Sequence, residues 1–415
     1  MNHAFFRSAP IAAALVLALG LPPAMAQSIG GSGALRLSAP STGDQVVAAV
    51  QAPAGAALET GDLDRTPVAV SWALEPDQAI DTQPAAFVQE SRGYWRDVDA
   101  QELRAGIALP LSATGAVIRF SPHASNAGAR LSREDLVVID RGNHLQADIV
   151  QAAADVDALR SAGMDAPAGT LAVKLSDTYV APSITLAVTN AAGRWLVHVH
   201  EPNSTIALRL GTARDVVVAG QPLKVQAACE GARASAASGL ISAPDGHSQP
   251  LTFTRQRDGS FAATITPDAA HAGARALWEV HTFAQCAGPD VPRDARTAFA
   301  VALPVARLDG SVERLPGAKA DGITLRFGVE AATASRYQVA GVLFGTARDG
   351  KQYPVAIGQS AAWLEAGNGT LDLRFDAASL ANVRGIGAPW ELRDLRLVNQ
   401  ADLGVLERRS IALSF

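Results

Sequence analysis

The chain has 415 residues, of which 48% are hydrophobic and 18% are charged, with 36 Gly, 23 Pro, 2 Cys and a formal net charge of −5. This length predicts roughly two to four domains with cores of their own, which excludes a disulfide-stapled mini-protein, a collagen-like repeat and a wholly disordered chain. The 35 basic residues are outnumbered by 40 acidic ones and form no long basic run. Because phosphate neutralisation needs clustered Lys and Arg, we expect no nucleic-acid partner.

The first 26 residues have the form of a secretory signal peptide. Arg7 lies in a short n-region, residues 11–19 form an apolar h-region, and the small-residue site Ala24-Met25-Ala26 precedes Gln27. The apolar run is about half as long as the roughly 20 residues that a membrane-spanning helix needs, and no later stretch is long and apolar enough. We therefore predict an exported chain, periplasmic or extracellular, with no membrane span after cleavage.

Residues 27–65 are rich in Gly, Ala, Ser and Pro, as in 30–33 (GGSG) and 52–55 (APAG). Such a stretch has few large apolar side chains to bury, so it is predicted to be a flexible leader. From residue 66 to 203, short runs of alternating apolar and polar residues predict strands, for example at 117–120, 171–175, 184–188 and 195–199. Helical signals are short, at 99–105 before Gly106 and at 153–162 before Gly163. This region predicts a β-rich N-terminal domain.

The region 204–304 predicts an immunoglobulin-like β-sandwich. About seven short apolar runs follow one another without a long helix, and turns such as 244–246 (PDG) and 257–259 (RDG) separate them. The same pattern repeats from 305 to 415. The predicted fold is therefore all-β: a β-rich N-terminal domain followed by two immunoglobulin-like sandwiches in tandem.

Several strings within residues 87–415 resemble a bacterial family of exported proteins, the domain-of-unknown-function family numbered 4785. They are 94–98 (YWRDV), 277–283 (LWEVHTF), 293–299 (RDARTAF), 360–364 (SAAWL) and 391–397 (ELRDLRL). The resemblance implies export and an N-terminal β domain followed by immunoglobulin-like domains. It brings no catalytic motif to this chain.

The two cysteines predict one disulfide. Cys229 closes the second predicted strand of the middle domain and Cys286 follows the sixth, and an inter-sheet bridge often links this pair of strands in immunoglobulin-type sandwiches. Export to an oxidising compartment favours the bridge. The alternative, a reactive thiol, lacks a basic or helix-initial neighbour that would lower the pKa of either cysteine.

His198 and His200 are the best candidates for metal ligands. They lie two residues apart on a predicted strand, so both rings project from one face and can give two ligands to a zinc ion. A third ligand would come from elsewhere, with candidates Glu201, His123, His144 and His281. The alternative is that the two rings line the polar face of a half-buried strand.

Tyr94 and Trp95 are candidate ligand-binding residues, because aromatic residues make up only 5% of the chain and these two are adjacent. On a strand, adjacent side chains point to opposite faces, so one ring can lie in the core while the other stacks on a sugar or a peptide. Alternatively, both rings pack in the interior.

No Gly-x-Ser-x-Gly elbow, phosphate-binding loop, dinucleotide fingerprint or His-Glu-x-x-His motif occurs. Spacing does not exclude a glycosidase, whose two carboxylates are brought together by the fold. We predict a non-enzymatic binding or scaffold protein without a cofactor, whose partner is a protein or a carbohydrate. The alternative is an exported hydrolase, possibly zinc-dependent, with its site near His198 and His200 in the N-terminal domain.

Overall fold

The computed structural model describes residues 34–53, 61, 63–80, 87–126, 129–139, 146–272, 276–287, 291–316, 322–381 and 385–415. About 58% of these residues lie in strands and about 8% in helices, which confirms the predicted all-β class. The predicted signal peptide, residues 1–26, lies outside the described residues. Within the described part of the chain, no helix is long and apolar enough to cross a membrane.

Three strands precede the N-terminal domain: β1 (Ala34–Arg36), β2 (Val68–Ala73) and β3 (Val88–Ser91). The N-terminal domain contains β4 (Gly93–Asp99), α1 (Ala100–Ala105), β5 (Ile107–Pro110), β6 (Val117–Pro122), β7 (Leu136–Ile139), α2 (Gln146–Ile149), β8 (Val150–Asp155), α3 (Val156–Ser161), β9 (Leu171–Leu175), β10 (Ser183–Val188) and β11 (Arg194–His200). Its two sheets have the orders β4-β11-β6-β9-β8 and β5-β10-β7. Alternation along β11 buries Trp195, Val197 and Val199 in the domain core, so the histidines between and after them face away from it.

Helix α1 forms where the sequence predicts it. Asp99 accepts hydrogen bonds from the backbone N–H groups of Gln101 and Glu102 at 2.8 and 2.9 Å, and Glu102 accepts one from the Asp99 N–H at 3.0 Å. The helix ends at Gly106, whose φ of +99° suits glycine. Helix α3 begins later than the predicted helix, because residues 153–155 continue strand β8.

The middle domain contains β12 (Ala207–Thr212), β13 (Val216–Val218), β14 (Leu223–Glu230), β15 (Arg233–Ser242), β16 (Ser248–Thr252), β17 (Thr254–Arg255), β18 (Phe261–Ile265), β19 (Leu277–Ala287) and β20 (Val291–Ala302). Its two five-stranded sheets have the orders β17-β18-β14-β12-β3 and β13-β20-β19-β15-β16. Apolar residues from both sheets form one core, in which the rings of Trp278 and Phe299 lie 6.4 Å apart. The predicted immunoglobulin-like sandwich is the observed fold.

A disulfide joins Cys229 of β14 to Cys286 of β19, with the Cα atoms 5.9 Å apart. The two strands belong to different sheets, so the bond links the two layers of the middle domain. The predicted pairing is confirmed.

The C-terminal domain contains β21 (Ala306–Leu315), β22 (Ile323–Ala331), β23 (Ser335–Ala347), β24 (Gln352–Leu364), β25 (Gly367–Phe375), α4 (Ala377–Leu380), β26 (Ile386–Asn399) and β27 (Gly404–Ser414). Its sheets have the orders β1-β21-β22-β25 and β2-β24-β23-β26-β27. Apolar residues of both sheets, including Phe327 and Phe375, share one core. This is the second sandwich of the tandem.

The segment before the N-terminal domain differs from the predicted flexible leader of residues 27–65 and from the predicted domain start at residue 66. Strand β1 pairs with β21, Gln45 bridges to Arg408, and Val47 is buried in the C-terminal core. Strand β2 pairs with β24 of the C-terminal domain, and β3 pairs with β12 of the middle domain. These segments form ordered strands although they have few apolar side chains to bury, because each strand gains backbone hydrogen bonds from the edge of an existing sheet.

We expect loss of the disulfide to destabilise the middle domain. The bond spans 57 residues, and a loop of that length gives about 4 kcal/mol in the chain-entropy model. Chemical denaturation of the Cys229→Ala/Cys286→Ala variant beside the oxidised wild type measures this loss. Recovery of both thiols free from the protein in its native compartment would contradict the disulfide's role.

Candidate functional site

A buried ion pair joins the N-terminal domain to the middle domain. Arg293 of β20 is fully buried, and its Nη2 donates to Glu201 Oε2 at 2.6 Å and to Ser112 Oγ at 2.8 Å. Its Nε donates to the Ile206 carbonyl at 3.0 Å. Glu201 also accepts hydrogen bonds from the backbone N–H groups of Ser112 and Ala113, at 2.6 and 2.9 Å. Because both charges are paired and hydrogen-bonded, the joint tolerates their burial.

Asp294, the next residue of β20, points to the opposite face of its strand and binds the backbone of the edge strand β4. Its Oδ2 accepts a hydrogen bond from the backbone N–H of Trp95 at 2.6 Å. Burial of this carboxyl raises its pKa to about 6, against the lowering effects of the Trp95 N–H and of Arg293. Strand β4 lies at the edge of its sheet, so the carboxylate occupies a backbone donor that would otherwise be free.

A groove of about 610 Å³ lies at this joint, which we call the interdomain groove. Strands β3, β4, β11, β19 and β20 supply its walls, and its lining includes Gln89, Trp95, His281, Phe283, Asp294 and Arg296. In the register of β19 and β20, His281 lies opposite Arg296 and Phe283 lies opposite Asp294. These four residues therefore share one face of the middle-domain sheet, which meets Trp95 across the groove.

The ring of Trp95 is exposed in the groove but supported from below. The residue is 43% exposed, and its ring stacks on the ring of His198, with centroids 4.2 Å apart and planes at 24°. The guanidinium carbon of Arg119 lies 5.2 Å from the Trp95 centroid. Register explains the cluster, since Trp95, His198 and Arg119 lie opposite one another on β4, β11 and β6.

The two aromatic residues predicted to bind a ligand lie on opposite faces of β4. Tyr94 is 2% exposed, belongs to the domain core, and donates from its hydroxyl to the Pro110 carbonyl at 2.9 Å. Burial raises the pKa of its phenol well above the ordinary value. Of the pair, the structure places Trp95 on the groove and Tyr94 in the interior.

His198 and His200 project from the same face of β11, with ring centroids 6.3 Å apart. The pKa of His198 is lowered to about 4, mainly by burial and to a smaller extent by the charges of Arg119 and His200. Its ring fits closely over Gly93, where a Cβ would lie 2.9 Å from His198 Nε2. His198 is therefore a neutral packing partner of Trp95.

The candidate third ligands do not gather around this histidine pair in the described structure. Glu201 is bound to Arg293, and His123 lies beyond the opposite end of the β6–β11 pairing. His281 lines the interdomain groove from the middle domain, and His144 lies outside the described residues. Among the described residues, no group of three or more His, Cys, Asp or Glu is placed to hold a metal ion.

Two polar atoms beside the groove lack a hydrogen-bond partner among the described residues. They are His281 Nε2, which lies 4.0 Å from a Glu279 oxygen, and Arg119 Nε. Sequence reasoning names His281 only as a metal ligand and does not single out Arg293, Asp294 or Phe283. The alternation of 293–299 (RDARTAF) is the signal that could have shown adjacent charges on opposite faces of one strand.

We expect the Arg293→Met variant to lose about 3–5 kcal/mol of unfolding free energy, because Glu201 would remain buried without its counter-charge. Chemical denaturation followed by tryptophan fluorescence measures the loss. The matched control is Arg326→Met, which breaks the partly exposed pair with Asp372 at 2.7 Å and should cost about 1 kcal/mol or less. Equal losses in the two variants would contradict the role assigned to the buried pair.

We expect His198 to titrate near pH 4 in the folded protein. The unfolded chain takes up this proton at an ordinary pKa of about 6.5, so the folded state loses up to about 3 kcal/mol as pH falls from about 7 to 4. The histidine NMR signal that disappears in His198→Gln measures the midpoint. Over the same pH range, the unfolding free energy of the wild type should fall relative to that of His198→Gln. A midpoint near 6.5 would show that the ring is solvated.

Comparisons with known proteins support the architecture. The family model described as the N-terminal domain of DUF4785, a domain of unknown function, matches residues 59–201, and the C-terminal domain model matches residues 306–415. The crystal structure of a DUF4785 family protein from Legionella pneumophila is similar at 21% identity, with a TM-score of 0.67, over 89% of this chain and 98% of that chain. At this identity, the likeness shows the fold.

Two further solved structures align weakly. They are an Escherichia coli alpha-2-macroglobulin, at 12% identity and a TM-score of 0.20 over 73% of this chain and 22% of that chain, and a tandem repeat of a large adhesion protein, at 13% identity and a TM-score of 0.17 over 80% of this chain and 73% of that chain. A search of curated proteins finds no match. The two domain models together cover more than half of the chain, at its N-terminal and C-terminal domains. The chain belongs to the DUF4785 family.

Proposed function

We propose that this chain is an exported, non-enzymatic binding protein, periplasmic or secreted, whose ligand occupies the interdomain groove. The observation that carries the proposal is Trp95, a residue 43% exposed, which lines a groove of about 610 Å³. Ligand sites are preformed concave surfaces with apolar rings and a few polar groups, and this volume lies within the usual range of about 300–1,000 Å³. A large aromatic ring in such a place is the typical anchor of a recognition site.

The rigidity of the groove supports a binding role. The Trp95 backbone is held by Asp294, its ring rests on His198, and the wall that carries Asp294 is held by the ion pair of Arg293. A binding site whose side chains are ordered before the ligand arrives loses less entropy on association. The disulfide and the predicted signal peptide support export.

The partners of Glu201 at the joint favour a structural role for this carboxylate over a catalytic one. Glu201 is fully buried and bound to Arg293, while Asp294 is hydrogen-bonded to the Trp95 backbone. A general base needs a free proton-accepting atom, and a general acid needs a proton to donate, within reach of the reacting group. Glu201 instead holds the two domains together, and Asp294 holds the backbone of Trp95 and also lines the groove.

We expect Trp95→Ala to abolish ligand binding in the groove. The probes are a panel of neutral hexasaccharides and a panel of extended pentapeptides, scored by the thermal shift of the full mature chain. The matched control is Trp72→Ala, which removes a 51% exposed tryptophan from β2 of the C-terminal domain and should leave binding unchanged.

Two results would contradict the proposal. One is the absence of any probe whose binding depends on Trp95. The other is elemental analysis that finds near one zinc per wild-type chain and none in His198→Ala/His200→Ala, since a bound catalytic zinc would favour the hydrolase.

A further inference from the structure

We propose that the ligand of the interdomain groove is a neutral saccharide chain, whose sugar rings stack on Trp95 and Phe283 and whose hydroxyl groups bind Asp294 and Arg296. This inference rests on the binding function proposed above and names the chemical class of the ligand.

The order of side chains across the groove fits a chain of sugar rings. Phe283 is 39% exposed and lies directly opposite Asp294, whose carboxylate reaches the Trp95 backbone on the other wall. A path from one aromatic ring to the other therefore passes over a carboxylate. A saccharide presents apolar C–H faces and polar hydroxyl edges in the same alternation, so it can cover both rings while bonding to the group between them.

The polar groups of the groove have spare capacity for hydrogen bonding. In the described structure, the carboxylate of Asp294 accepts one hydrogen bond, from Trp95, although an ionised carboxylate can accept about four. The guanidinium of Arg296 is 63% exposed and lies 3.5 Å from one oxygen of Glu279. A hydroxyl group both donates and accepts, so it can bind Asp294 as well as Arg296, whereas a wholly apolar ligand would leave both groups without a partner.

The charge of the groove favours a neutral ligand. Asp294 and Arg296 lie two residues apart on β20, so they share one face of the sheet, and they carry opposite charges. Glu279 beside Arg296 adds a second carboxylate. An anionic chain would meet the two carboxylates, and a cationic chain would meet Arg296 and the nearby Arg119. The charges of the groove therefore favour neither an anionic nor a cationic chain.

The same geometry disfavours an extended peptide. A peptide binds a sheet protein most directly by adding a strand to a free edge, where backbone N–H and C=O groups are unpaired. Strand β4 is such an edge, but the N–H of Trp95, at the centre of the groove, is already bonded to Asp294. Strand addition would have to break this bond and leave a partly buried carboxylate without its donor.

The test is isothermal titration of the full mature chain with neutral hexasaccharides of glucose, xylose, mannose and N-acetylglucosamine, beside a pentapeptide panel. We expect at least one hexasaccharide to bind, with about a tenfold or greater loss of affinity in both Trp95→Ala and Phe283→Ala. Arg296→Gln should weaken the same binding, and Trp72→Ala should not. Because Trp95→Ala also removes the stacking partner of His198, the unfolding curve of each variant is recorded, and Trp95→Phe, which keeps a ring, should retain part of the affinity.

The outcomes separate this inference from the proposed function. Peptide binding that depends on Trp95, without hexasaccharide binding, would overturn the saccharide assignment and leave the binding function standing. Hexasaccharide binding that is equal in wild type, Trp95→Ala and Phe283→Ala would place the sugar elsewhere and overturn the assignment to this groove. The absence of Trp95-dependent binding in both panels would overturn both proposals.

Discussion

The arrangement of the first two domains depends on the buried contact between Arg293 and Glu201. Both side chains are fully excluded from solvent, and each belongs to a different domain. Ion pairs of this kind contribute little net stability relative to apolar packing, yet they penalise any arrangement that separates the charges. The contact therefore acts mainly on geometry, since the two domains cannot shift against each other without exposing an unpaired charge to an apolar interior.

One strand carries both the joint and the groove because neighbouring side chains of a strand point in opposite directions. Arg293 turns inward to the ion pair, and Asp294 turns outward to the Trp95 backbone. The position of Asp294 is costly to the folded protein, since burial raises the pKa of its carboxyl to about 6. Carboxyl groups with a strongly raised pKa are common at functional sites, which agrees with the position of Asp294 in the lining of the interdomain groove.

The long-range strands at the start of the chain tie the domains together in a second way. Strand β1 and strand β2 extend the two sheets of the C-terminal domain, β3 extends a sheet of the middle domain, and β4 then begins the N-terminal domain. The first strands of the chain therefore pair with the C-terminal domain, the next with the middle domain, and only then does the N-terminal domain begin. Each added strand pairs with an edge of an existing sheet, so the predicted leader contributes structure where its composition indicated none.

Local patterns were enough to predict the class of fold. Alternation and turn glycines determine strands and turns over a few residues, and the two cysteines lie within one domain. Strand β9 was predicted at its observed bounds, and helix α1 was predicted from the residues at its two ends. The bond between Cys229 and Cys286 was predicted from the position of the two cysteines in opposite strands. The same alternation correctly placed His198 and His200 on one face and Tyr94 and Trp95 on opposite faces.

Only the tertiary structure decided which faces meet. The ion pair joins residues 92 positions apart, and Trp95 meets Asp294 across 199 positions, distances at which periodicity carries no information. The same holds for β1, because the N-terminal and middle domains lie between it and its partner strand β21. The sequence by itself determined most strands of the three domains and the direction of their side chains, since these follow from local backbone geometry. It also determined the disulfide, because the chain has only two cysteines. Packing between distant surfaces decided the groove, its aromatic walls and the pairing of Glu201 with Arg293.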